Sequence, residues 1–221
     1  MTDEAANDLD AEALIELYFE LEDEDEREVV LDKLESFDLP MVTEFWRAAA
    51  HEDDDELVRV RALTVLSKRG DGEALAGLKA TIDDPDDIIV FEEALQAVAA
   101  IEGATFFPAV EAIWRDDSRD ADERRAAMTV MESVDAEKTL RAFDAFVATL
   151  GDAATFPDDQ IEVVLLAYLR GEHVGAVPLL ESMLERLTAS SRGMDEDERD
   201  ELLGMVREGI ELLRAPTQLR P

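Results

Sequence analysis

The chain repeats itself with a period of about 32–33 residues, and that period limits the folds open to it more than any other feature. Ala62-Leu63 with Leu66 recurs one period on as Ala94-Leu95 with Val98, and one period further as Ala127-Met128 with Met131. An acidic cluster precedes each copy: Asp53-Asp54-Asp55, then Asp83-Asp84-Pro85-Asp86-Asp87, then Asp116-Asp117 through Asp122. Gly70 and Gly103, again one period apart, close the first two copies. A weaker copy, Leu165 and Tyr168 with Gly171, follows a longer loop that contains Gly and Pro. A unit of this length cannot bury its apolar face alone, so each must stack on its neighbours. Alanine at the recurrent sites 62, 94 and 127 lets successive helices approach closely.

Between the breakers, apolar residues recur at spacings of three and four, and no useful stretch alternates like a strand. Leu39-Pro40, Gly70-Asp71-Gly72, Asp84-Pro85, Gly103, Gly151-Asp152, Phe156-Pro157, Gly171 and Gly193 punctuate the chain at short intervals. They divide it into twelve helices in six pairs: 10–22 with 24–37, 40–52 with 55–69, 72–83 with 86–102, 105–116 with 121–134, 136–150 with 158–170, and 173–190 with 195–214. Asp10 and Asp55 suit N-caps, and Pro40 suits a first helical position. The fold class expected is all-α, a right-handed α-solenoid of about six antiparallel helix pairs. Its parts are an acidic capping pair at 1–38, helical repeats over 39–214, and a frayed tail at 215–221.

Charge is the other extreme. The sequence has 56 acids and 21 bases, a formal net of −35, and only four bases are lysine (33, 68, 79 and 138). Residues 1–56 hold 22 acids and three bases, so more than half of the net charge lies on the first quarter of the chain. Such a surface repels nucleic-acid phosphates and anionic membranes. It suits high salt, or a protein partner with basic segments that is steered from a distance. A uniform salt adaptation does not produce the skew toward one end; a capping unit or an acidic docking end does. The stretch Met1 to Asp10 carries four acids and no base, unlike a secretory leader, and no window reaches about 18 uninterrupted apolar residues. A cytoplasmic protein is expected. With no cysteine and only His51 and His173, thiolate chemistry is excluded and a histidine metal site is disfavoured.

The stretch from Asp54 to Leu75 (DDELVRVRALTVLSKRGDGEAL) resembles a HEAT repeat. Asp55 stands in the turn inside the pair, Val58-Arg59 follows, Ala62 marks the small-residue helix, and Gly70-Asp71 ends it. The next unit keeps Asp84, Asp87, Ala94 and Gly103 but has Val90-Phe91 in place of Val-Arg. The third offers Arg124-Arg125 and Ala126-Ala127 and lacks the terminal glycine. The resemblance is good over 40–135 and weaker to 214. It implies a scaffold or adaptor that is not an enzyme and uses no cofactor, binding its partner on the concave face formed by the second helix of each pair. The residues it points to are Arg59, Arg61, Glu92, Glu93, Gln96, Arg124 and Arg125, with Glu132 and Glu162 on the same helices.

Residue-level chemistry adds little. Gly70-Asp71-Gly72 lacks the lysine and hydroxyl of a phosphate-binding loop. The acidic run 116–127 lacks the glycine and terminal glutamate of a calcium loop. The serines sit in no nucleophile elbow. Phe45-Trp46, Phe106-Phe107, Trp114, Phe143 and Phe146 lie mostly on first helices, where core packing between layers explains most of them. In each adjacent pair the two rings diverge by about 100° around the helix, which leaves room for one of the two to be exposed. Trp46, beside the acidic end, is the expected interaction anchor. Two rival readings share the scaffold: a HEAT-like bilin lyase or isomerase, which needs a deep apolar cleft lined by Tyr and Trp, and an acidic mimic of nucleic acid. A HEAT-like DNA glycosylase would need a basic groove.

Overall fold

A computed structural model describes residues 10–150, 158–189 and 196–215. The chain is all-α, with twelve α-helices and no strand among the described residues. They are α1 (Ala11–Glu20), α2 (Glu24–Glu35), α3 (Pro40–Glu52), α4 (Glu56–Lys68), α5 (Gly72–Asp83), α6 (Ile88–Glu102), α7 (Phe107–Arg115), α8 (Ala121–Val134), α9 (Ala136–Thr149), α10 (Asp158–Arg170), α11 (Val177–Ala189) and α12 (Glu196–Arg214). Short 3₁₀ turns, Gly103–Thr105 and Val174–Ala176, lead into α7 and α11. Those turns shorten the helices expected from 105 and 173, because Pro108 and Pro178 belong to the first turns of α7 and α11 and resist an earlier start. The expected loop around Gly151 to Pro157, the break at Gly193 and the tail beyond Ala215 lie outside the described residues.

Much of the acidity has a local structural use. Among the described residues, seven helices begin on an aspartate whose carboxylate accepts a first-turn backbone N–H: Asp10, Asp23, Asp55, Asp71, Asp87, Asp120 and Asp135. Each cap satisfies a donor that the helix cannot pair internally and places negative charge at the positive end of the helix dipole. Asp71 does more. Gly70 takes a positive φ of 91°, which a residue with a side chain resists. Its N–H reaches Ser67 O at 2.9 Å, while the Asp71 N–H reaches Leu66 O at 3.1 Å. This is the Schellman closure of α4. The Asp71 side chain then accepts from Glu73 N and Ala74 N to open α5. The Gly-Asp of the repeat therefore ends one helix and starts the next.

The chain divides into two compact units, Met1–Ile101 and Glu102–Pro221. In the first, α1 packs on α2 and α3, α3 on α4, and α4 on α5. One core runs from Ala11 through Leu14, Tyr18, Leu34, Phe45, Trp46 and Ala62 to Ala74. Gly77 of α5 lies so close to α4 that a Cβ there would stand 3.0 Å from Leu63 Cδ2. Trp46 is fully buried, 0% exposed, and so is not the exposed anchor its sequence position suggested. α3 is enclosed by α1 and α4 together, so its apolar arc is wide enough for both rings. Phe45 sits edge-on to Tyr18 and to Trp46, with centroids 5.2 Å apart in each pair.

In the second unit, α7 pairs with α8 and α11 with α12, while α8 meets α10, α9 meets α11, and α10 meets α12. Contacts between a helix and the next but one are what stacked pairs require. The recurrent alanines, Ala62 and Ala94 in the first unit and Ala127 in the second, are all 0% exposed. Both rings of the pair Phe106-Phe107 are buried too, in the core role expected of most of these aromatics. Trp114 packs edge-on to Phe143 and Phe146 and donates its indole N–H to Gln160 Oε1 at 3.1 Å inside the core.

Candidate functional site

The second helices of the first three pairs, α2, α4 and α6, line a groove of about 650 Å³ in the first unit. Helical spacing explains its walls. On α2 the positions three and four apart are Glu24, Glu28 and Leu31, with Asp25 beside them; on α4 they are Leu57, Arg61, Thr64 and Lys68; on α6 they are Ile89, Glu93, Gln96 and Ala100. Val58, Val60 and Leu31 are buried at its base, whereas Leu57 and Ile89 are 41% and 57% exposed. Leu57 and Ile89 line the same concavity, so they form part of one apolar surface rimmed by polar groups rather than scattered exposed residues.

Five carboxylates line the groove, from Glu24, Asp25, Glu28, Asp55 and Glu93, against two bases, Arg61 and Lys68. Arg61 is already occupied. Its guanidinium reaches across to α2, donating to Glu35 Oε1 at 2.8 Å and to Asp32. Burial works against its charge, but the hydrogen bonds to Asp32 and Glu35 and the charge of Glu35 outweigh it and raise its pKa further. Beside Asp55 in the chain, Glu56 is raised above its ordinary range by a hydrogen bond with Asp86, aided by desolvation and the charge of Asp86. The groove therefore presents uncompensated negative charge over an apolar floor, and no aromatic side chain lines it.

A family model for HEAT repeats matches residues 11–99 and again 43–132, together more than half of the sequence. The chain belongs to the HEAT-repeat family. HEAT repeats are in general protein-interaction scaffolds, and typically not enzymes. No curated protein and no solved structure matches the chain at a significant level. The match starts at residue 11, so α1 and α2 fall within it.

The HEAT architecture brings some of the expected contact residues together and uses others up. Arg61, Glu93 and Gln96 line the groove. Glu92, next to Glu93, is half-buried on another side of α6. Arg59 is held at the base of its own helix, donating to Asp53 O at 2.7 Å and to Glu56 at 2.7 Å. Arg124 and Arg125 belong to the second unit, where they pair with Asp117 and Asp122 at 3.2 Å each. Glu132 of α8 is bridged by Arg170 of α10, and Glu162 is exposed. Leu57 and Ile89, the apolar part of the surface, are not among the expected residues. Their signal is present all the same: in Leu57-Val58 and in Ile88-Ile89-Val90-Phe91, more neighbours are apolar than one helix face can bury.

Other acid clusters are internally engaged. Asp116 accepts from Ser118 N and Oγ, which together lower its pKa, and Asp120 caps α8. Among the described residues, no group of three or more His, Asp or Glu side chains is placed to hold a metal ion. No described helix is long and apolar enough to cross a membrane. Each unit also contains a buried tyrosine on a carboxylate: Tyr18 donates to Asp53 at 2.6 Å and accepts from Arg27, and Tyr168 donates to Asp144 at 2.9 Å, which also meets His173.

Proposed function

We propose that this protein is a non-enzymatic cytoplasmic adaptor whose α2–α4–α6 groove receives a basic segment of a protein partner. The observation that carries this reading is the pairing of exposed Leu57 and Ile89 with five lining carboxylates, in a groove where Arg61 is already neutralised by α2. Apolar contact supplies affinity, and the carboxylates supply attraction and partner choice. The acidic first pair, residues 1–38, contributes one wall of the groove through α2. The bilin reading is not favoured, since both tryptophans and both tyrosines are buried elsewhere. The glycosylase reading fails on the sign of the groove's charge.

The test compares partners captured on the full chain with those captured on a Leu57→Glu/Ile89→Glu variant and on a Phe19→Glu control. All three side chains are exposed, and helical circular dichroism checks that each variant folds. The groove variant should lose the partner, the control should keep it, and captured segments should be rich in Arg and Lys. Binding should also weaken as salt rises, because the carboxylates are screened. Retention of the same partner by the groove variant, in low and high salt alike, refutes the proposal.

A further inference from the structure

The groove is graded along its length. α2, α4 and α6 are each the second helix of a pair, so all three begin at the same end. At that end lie Glu24 and Asp25 on α2, Asp55 capping α4 and Leu57 on it, and Ile89 on α6. One turn further come Glu28 and Glu93, with Arg61 turned aside to Asp32 and Glu35. Then the walls become neutral, with Thr64, Gln96 and Ala97. The far end carries Lys68 and Ala100. From Leu57 to Lys68 this polarity change spans about 16 Å, at about 1.5 Å per residue.

Resting on the binding reading above, we infer that the groove accepts its partner segment in one direction only. Long cationic side chains sit where the three helices begin, and neutral or acidic ones sit at Lys68. Arginine and lysine match the entry end in both halves of their chemistry. Their aliphatic stems lie on Leu57 and Ile89, and their heads reach Glu24, Asp25, Glu28 and Glu93. A segment laid in the reverse sense places its cations against Lys68 and leaves the carboxylates unmet. That like-charge contact is the element that rejects the wrong direction.

The experiment uses one isotopically labelled peptide of about 14 residues, long enough to follow α4, with leucines throughout and arginines at its amino end alone. The protein has no cysteine, so a single introduced thiol carries a nitroxide. The thiol is placed at Glu22→Cys, before α2, or at Ser36→Cys, just after it at the far end; both positions are exposed and outside the groove lining. The nitroxide at position 22 should broaden the arginine-end resonances of the bound peptide, and that at position 36 should broaden the opposite end. Separately, Lys68→Gln should tighten a peptide with arginines at both ends about fivefold, the effect of relieving one close like-charge contact. Equal broadening of both peptide ends, with Leu57→Glu/Ile89→Glu still abolishing binding, overturns the direction and leaves the groove reading intact. Failure of the peptide to bind at all overturns both.

Discussion

The two tyrosines of this chain make its alkaline behaviour a direct test of how its cores are built. Tyr18 and Tyr168 are 1% and 0% exposed, and each donates its hydroxyl to a carboxylate. Burial is the main cause that raises both pKa values well above the ordinary value of about 10. The hydrogen bond to Asp53 and the charge of Asp53 add to it for Tyr18, against the opposing Arg27; the charge of Asp144 and the hydrogen bond to it add for Tyr168. An unfolded chain releases these protons near pH 10 while the native chain holds them. Over that range the native state binds more protons, and stability must fall as pH rises. The contribution is complete below pH 10 and declines above it by up to about 1.4 kcal/mol per pH unit for each tyrosine. Between pH 10.5 and 12 the pair removes about 4 kcal/mol, a large share of the roughly 5–15 kcal/mol by which folded domains persist.

The assay is tyrosinate ultraviolet absorbance followed with helical circular dichroism during alkaline titration. Tyrosinate should be absent from the folded protein at pH 10–11 and should appear together with loss of helix. Tyr18→Phe and Tyr168→Phe should each roughly halve the tyrosine-linked fall of stability with pH. A smooth titration of either tyrosine near pH 10, with the helical signal intact, would refute the buried pairing with Asp53 or Asp144.

Two further outcomes follow from the helix joints and packing. In α12, Gly204 has open space where a Cβ would lie, whereas a Cβ on Gly209 would stand 2.8 Å from Leu165 Cδ2. Gly204→Ala should therefore raise stability in urea by about 0.5–1 kcal/mol, while Gly209→Leu should lower it by about 1–3 kcal/mol; equal effects at the two sites would contradict the close α10–α12 approach. Asp71→Ala should cost about 1 kcal/mol through lost capping of α5, and Asp71→Asn, which keeps an accepting oxygen, should recover most of it on the same denaturation curve.

Helix positions are legible in the sequence because their signals are local. Asp10 and Asp55 do cap, Pro40 does open α3, and the Gly70-Asp71 pair closes and reopens helices through bonds between near neighbours in the chain. The candidate site is legible only in part, because contact between helices decides which side chains remain available. Arg61 faces the second-helix surface as its position suggests, yet its charge is taken by Asp32 and Glu35 on another helix. Trp46 departs from expectation because the angle between adjacent residues gives their separation around one helix. It does not say how many neighbours enclose that helix. Leu57 and Ile89 escape notice because an apolar residue in an apolar run reads as core until the arc already filled by Val58, Val90 and Phe91 is known.

The joint at Gly70-Asp71 has a consequence for what this chain tolerates. Because one residue both closes α4 and caps α5, there is no spacer between the two helices that could lengthen without loss. An inserted residue would part the closing N–H from the capping carboxylate and leave one helix end open. A duplicated or deleted segment keeps both ends whole only if it is cut in phase at this joint. At this seam, length can change without loss only by whole units inserted or removed in phase with it.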